Sequence, residues 1–125
     1  MSKVRGIRGA ISVVSNTEKD ILEATTTLLQ KLIESNQVES DDIASIFFTV
    51  TDDLNAEFPA YAVRNMNMRM VPLLCAREMH VDKGMQSLIR VLMHVNTDKS
   101  QNQIKHQYLG KTKHLRPDLN EGESE

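Results

Sequence analysis

One cysteine, no tryptophan, two tyrosines, three phenylalanines and three prolines are spread over 125 residues. The single thiol, Cys75, excludes an intrachain disulfide and suits a reducing, cytoplasmic setting. Aromatics make up 4% of the chain, too few for a platform on which bases stack. Neither sign of charge prevails: 15 Lys and Arg against 17 Asp and Glu leave a net charge of −2. A nucleic-acid partner, which calls for a net basic face, is therefore not expected. No apolar run approaches the roughly 18 residues of a membrane span. The charges within Met1-Ser2-Lys3-Val4-Arg5-Gly6-Ile7-Arg8 interrupt the apolar stretch that a signal peptide needs. His80, His94, His106 and His114 lack metal-ligand spacing. Neither a glycine-rich phosphate loop nor a Ser-His-Asp arrangement is visible. No cofactor and no metal are expected.

What is present fits one domain, residues 1–119, followed by an acidic tail, 120–125, expected to be disordered. A chain of this size has difficulty enclosing a deep pocket alone, so a buried site is expected to borrow walls from a neighbouring subunit.

Val4 to Val14 reads as a strand, β-branched at Ile11, Val13 and Val14 and interrupted by Gly6 and Gly9. Ser15-Asn16-Thr17 stops it, and Thr17 with Asp20 resembles a capping box. A helix to about Ser35 follows, with Ile21, Leu22, Thr25, Leu28, Leu29, Leu32 and Ile33 on one stripe. After a polar connection from Asn36 to Asp42, Ile46 to Val50 reads as a buried strand. Pro59 opens a short helix to Met68. Val71 to Cys75 is a strand with Pro72 near its start, and Asp82-Lys83-Gly84 is a turn. Gln86 to Asn96 is a long strand with Ile89, Val91, Met93 and Val95 on one face and Leu88, Arg90, Leu92 and His94 on the other. A short helix near Ser100 to Ile104 and a brief strand near His106 to Leu109 complete the pattern. The expected fold is α/β, a mixed β-sheet with helices packed on it.

Arg90 is the sharpest chemical signal, a charge between Ile89 and Val91 with Leu88 and Leu92 beyond. A buried guanidinium needs an anion, either a protein carboxylate such as Glu78 or a ligand, and position alone leaves both open. Arg8, projecting from the first strand with glycines on either side, is a weaker candidate. Arg64 and Arg116, taken singly, read as surface charges. If the chain turns helical after Cys75, that thiol shares a side with Glu78. Cys75 alone is more often a small core residue than a nucleophile. Met66, Met68 and Met70 read as packing residues. Several arginines, one carboxylate and no nucleophile point to a small dianionic ligand, because guanidinium forks match carboxylates.

The segments Arg5-Gly6-Ile7-Arg8-Gly9-Ala10, Phe58-Pro59-Ala60, Ala62-Val63-Arg64, Val71-Pro72, Cys75, Glu78-Met79, Ile89-Arg90-Val91, Tyr108-Leu109 and Leu115-Arg116-Pro117-Asp118-Leu119 together resemble the AroH-class chorismate mutases over about residues 4–119. The resemblance implies a homotrimer, a pseudo-α/β barrel with active sites at subunit interfaces, that converts chorismate to prephenate on the route to phenylalanine and tyrosine. The reaction is an intramolecular Claisen rearrangement without covalent catalysis or proton transfer. The resemblance assigns Arg90 to the ether oxygen and Glu78, with Cys75 beside it, to the ring hydroxyl and developing positive charge. Arg8 and Tyr108 are assigned to substrate carboxylates. Phe58, Leu74 and Leu115 wall the ring, Ala60 adds to the substrate pocket, and Arg64 and Arg116 close its mouth. The chain departs from the family pattern at Tyr61, where a lysine is familiar, and at Leu74, where a short hydroxyl residue is familiar. Asn65 to Met70 lacks an expected Gly-Trp pair. Two other readings are a trimeric imine deaminase of the Rid type, which also uses an interface arginine, and a non-catalytic binding protein for an aromatic-pathway acid.

Overall fold

A computed structural model describes residues 2–113. His114, the site candidates Leu115 and Arg116, and the acidic tail 120–125 lie outside the described residues.

Ten-residue β1 (Lys3–Ser12) leads into helix α1 (Glu18–Asn36). β2 (Ile43–Val50), a five-residue helix α2 (Tyr61–Asn65), β3 (Leu73–Arg77), β4 (Leu88–Thr97) and the short β5 (Gln107–Leu109) follow. Single 3₁₀ turns occupy Ser40–Asp42, Gln101–Gln103 and Gly110–Thr112. The five strands form one mixed sheet in the order β3-β2-β4-β1-β5. Its centre is antiparallel, β1 and β2 each pairing with β4, while β3 and β5 join the edges in parallel.

Thr17 caps α1 as the sequence predicts, its Oγ1 accepting the Asp20 N–H at 3.1 Å. The Asp20 carboxylate does not complete the box, because the Ser15 hydroxyl donates to it instead. At the other end Gln37 turns left-handed, at φ 50°, and closes the helix with bonds to Ile33 and Glu34 carbonyls. The buried Asn36 amide donates to the carbonyls of Leu32 and Lys105 and accepts from the Lys105 N–H. The helix end is thereby tied to the segment that enters β5.

The apolar stripe of α1 lies on one face of the sheet. Ile21, Leu28, Leu29 and Leu32 are fully buried against Ile7, Ile46, Phe48, Ile89 and Met93. Gly9 lets the helix approach: a Cβ there would stand 3.0 Å and 3.1 Å from Cδ1 of Leu28 and Leu32. Gly9 thus serves the helix and clears no space around Arg8. Only Gly6 faces the Arg8 side, and an added Cβ there would merely touch Leu92 at 3.6 Å. The expected interruption of β1 is also absent, since its pairing with β4 runs unbroken through ten residue pairs.

The opposite face is largely uncovered. Register sets two adjacent rows of side chains across it. One runs Arg8, Leu92, Phe47, Leu74, and the other runs Tyr108, Ala10, Arg90, Thr49, Ala76. Leu74 is 57% exposed and Phe47 and Leu92 are each 39% exposed. A monomer that leaves such an apolar sheet face to water presents a surface built for another protein surface. Among the described residues, a small cluster of Ala10, Leu88 and Tyr108, with Met85 packed against it, is buried on this side.

Several element bounds differ from the sequence reading. β2 begins three residues before Ile46, because the 3₁₀ turn at Ser40–Asp42 delivers the chain to the sheet earlier. α2 is half its expected length, since Asn67 adopts φ 62° and ends it. β3 starts after Pro72, whose carbonyl still accepts from Ile46, and runs two residues past Cys75.

Candidate active site

Arg90 sits in the middle of β4, and the second cross-sheet row sets it between Ala10 and Thr49. Its side chain is 38% exposed and its Nε–H is buried without a hydrogen-bond acceptor among the described residues. Glu78 Oε2 stands 3.4 Å from that nitrogen, an ion pair whose alignment leaves the N–H unused. The two readings left open by sequence are thus both present: Arg90 has a carboxylate neighbour, and it keeps an unused donor in a groove. A buried donor without a partner is costly, which marks this atom as prepared for an acceptor.

Glu78 reaches the groove because its backbone prolongs β3, its N–H donating to the Val50 carbonyl at 2.7 Å. The Thr49 hydroxyl donates to the same Oε2 that faces Arg90. Thr49 therefore sets the carboxylate's direction. Sequence reasoning passed over Thr49. Its period-2 relation to Phe47 would have put it on the open face, but its pairing with Arg90 depends on a register that spacing does not reveal.

Arg8, Phe47, Thr49, Glu78, Arg90 and Tyr108 together line an open groove of about 490 Å³. Arg8 is exposed, and its side chain has no hydrogen-bond or ion-pair partner among the described residues. Its backbone N–H donates to His106 Nδ1 at 2.9 Å, which anchors the start of β5 and hence Tyr108. Across the Arg90–Glu78 pair the space continues into a smaller hollow of about 220 Å³, lined in part by Asp52, His80 and Leu88.

The connection from β3 to β4 is fastened next to this pair. Asp53 accepts from the Ser87 N–H at 2.9 Å and from the Ser87 hydroxyl at 2.7 Å. Ser87 is held at φ 54°, and its carbonyl accepts from Val13. Partial burial pushes the Asp53 carboxyl up, but hydrogen bonds from Thr51 and from the Ser87 hydroxyl and N–H outweigh it and leave it below the usual carboxylate value. Arg90 is three residues from this fastening, on a strand paired on both sides, so its guanidinium starts from a rigid base.

The remaining candidates stand elsewhere on the chain. Phe58 and Cys75 line a separate hollow of about 390 Å³ with Leu54 and Pro59. Burial pushes the Cys75 thiol up, against a smaller opposing effect of the Ala60 backbone N–H directed at it. This suits a packing role more than a nucleophile. The chain does not turn helical after Cys75, so Cys75 and Glu78 do not share the side that a helical turn there would give them. The chain is still extended at Arg77, so side chains three apart point to opposite faces. Arg64 is exposed on α2, and Leu74 lies in the first row on the open face. One chain thus carries two half-sets: Arg8, Glu78, Arg90 and Tyr108 in one groove, and Phe58, Ala60 and Cys75 around another. Among the described residues no cluster of His, Cys, Asp and Glu suits a metal ion, and no helix is long and apolar enough to cross a membrane.

Comparisons with known proteins bear on this arrangement. Residues 4–119 match the family model described as chorismate mutase type I. The chain is 47% identical over 117 residues to the chorismate mutase AroH of Bacillus subtilis strain 168, covering 93% of this chain and 92% of that one. It is 48% identical over 117 residues to the AroH of Thermus thermophilus, covering 93% and 96% respectively. Among solved structures, a chorismate mutase from Clostridium thermocellum superposes with a TM-score of 0.85 at 49% identity, over 86% of this chain and 96% of the other.

Proposed function

The chain belongs to the chorismate mutase type I family, and from that premise we propose that it rearranges chorismate to prephenate in a crevice that two of its copies build together. The activity is that of an isomerase, an intramolecular Claisen rearrangement in the synthesis of aromatic amino acids. In this reaction an ether C–O bond lengthens before the new C–C bond closes, so negative charge builds on the ether oxygen. A cation fixed beside that oxygen binds the transition state more tightly than the substrate.

Arg90 takes that role. The observation that carries the reading is its buried, unused Nε–H in a groove that also holds Arg8 and Tyr108. Glu78, oriented by Thr49, faces the ring hydroxyl and the positive character that the ring gains as the ether oxygen takes electrons. Arg8 and Tyr108 hold a carboxylate, and their fixed spacing to Arg90 favours the compact diaxial conformer in which the two reacting carbons meet.

The other half of the site comes from a second copy. Phe58, Ala60, Leu74 and Cys75 wall the ring opposite the arginines with Leu115, and Arg64 and Arg116 close the mouth. The separation of the two half-sets on one chain and the bare apolar face around Phe47, Leu74 and Leu92 support a trimer with sites at its interfaces. A cytoplasmic setting belongs to the same proposal, supported by the lone thiol.

The test is direct. The purified chain should deplete chorismate absorbance, and acid treatment of the product should yield phenylpyruvate. Saturable binding of chorismate with no rearrangement would replace the enzyme by a binding protein.

A further inference from the structure

We propose that Tyr61 is a positioning residue: its ring holds the Arg64 guanidinium above it, so that the N–H donors are presented to a substrate carboxylate at the mouth of the site. The inference rests on the reading of Arg64 as the cation at that mouth and adds the device that aims it.

The geometry begins in the backbone. Tyr61, Ala62 and Val63 donate to the carbonyls of Phe58, Pro59 and Ala60 at 3.2, 3.0 and 3.1 Å. These are i to i+3 bonds, and in a 3₁₀ turn side chains three residues apart eclipse. Phe58 and Tyr61 therefore stand in one column, and Arg64, three residues further within α2, follows on the same side. The Phe58 and Tyr61 rings meet edge to face, with centroids 5.9 Å apart at 90°, which fixes the plane of Tyr61. Over that ring lies Arg64, its Cζ 4.7 Å from the centroid.

A guanidinium held over a ring by its charge leaves its N–H donors free to meet a carboxylate. No described side chain accepts a hydrogen bond from Arg64, which stands two turns along from Phe58, a residue that lines the Cys75 hollow. An exposed arginine on a five-residue helix would otherwise lose much rotamer freedom on meeting a carboxylate. The aromatic column removes part of that freedom beforehand. A lysine at position 61 would add a second point charge but no surface for Arg64. Here the ring organises one cation in place of two independent ones.

The effect belongs to substrate capture, so it appears in KM. Tyr61→Leu should raise KM for chorismate about threefold and change kcat by less than about twofold. Tyr61→Phe, which keeps the ring face, should hold KM within about twofold of the parent. Arg64→Ala should raise KM further, and in that background Tyr61→Leu should add nothing. An Arg64→Ala enzyme with unchanged KM would overturn the placement of Arg64 at the mouth, and this inference with it. If Arg64→Ala raises KM but Tyr61→Leu does not, or if both act independently in the double variant, the positioning role alone fails. Tyr61→Phe as impaired as Tyr61→Leu would likewise refute it, since the hydroxyl and not the ring would be at work.

Discussion

Arg90→Ala removes the cation that the proposed reading sets beside the ether oxygen and whose Nε–H, among the described residues, is buried and unused. The ether oxygen of the transition state carries about half an electron, placed about 3 Å from the guanidinium; at an effective dielectric near 20 their attraction is about 3 kcal/mol. That matches the loss seen when an enzyme is deprived of one oxyanion donor, about 3 kcal/mol, and corresponds to a fall in kcat of at least about 100-fold. Stability should hardly move. Glu78 loses an ion-pair partner at 3.4 Å but keeps the Thr49 hydroxyl, and the pair is partly exposed, so the change stays within about 1 kcal/mol. Initial rates of chorismate depletion give kcat and KM separately, circular dichroism checks the fold, and sedimentation checks the assembly. A folded, assembled Arg90→Ala enzyme with kcat within about tenfold of the parent would refute the electrostatic role. Arg90→Lys sharpens the point: a flexible ammonium has no Nε–H to present and should recover little of the loss.

With no residue assigned a proton transfer, kcat should be flat between about pH 6 and 9, and a bell-shaped profile would indicate acid–base chemistry instead. Leu92→Asp places a charge within the apolar row between Arg8 and Phe47; it should shift the sedimenting species towards monomer and abolish most turnover, and full activity as an unchanged trimer would remove the open face from the interface. Asp53 has a folded-state pKa below its unfolded one, so its stabilising effect is present above about pH 3.9 and fades as pH falls through the lower folded value. Asp53→Ala should therefore lower Tm at pH 7 by about 3 °C, and the gap should close in acid. A gap that persists below the lower, folded-state value would mean that the carboxylate's hydrogen bonds to Ser87 are not its source.

What sequence reveals here divides along physical lines. α1 was legible because its stripe and Thr17 are local, and β4 because alternation over ten residues is hard to mistake. Arg90 stood out for the same reason, a charge where alternation leaves only apolar neighbours. The edge strands were less legible. β3 and β5 join in parallel across long separations, so nothing near Pro72 or His106 states where pairing begins. The same distance hides the chemistry of the groove. Tyr108, Ala10, Arg90 and Thr49 share a row only because three strand registers agree. Cys75 and Glu78 show the converse error: three residues apart, they suggest one helical side, yet extension to Arg77 sends them to different hollows. A single groove assembled from one chain would have made the subunit interface dispensable. Because extended backbone divides the candidates between two surfaces, the proposed site takes its second wall from another copy, and the apolar face around Leu92 is the surface proposed to receive it.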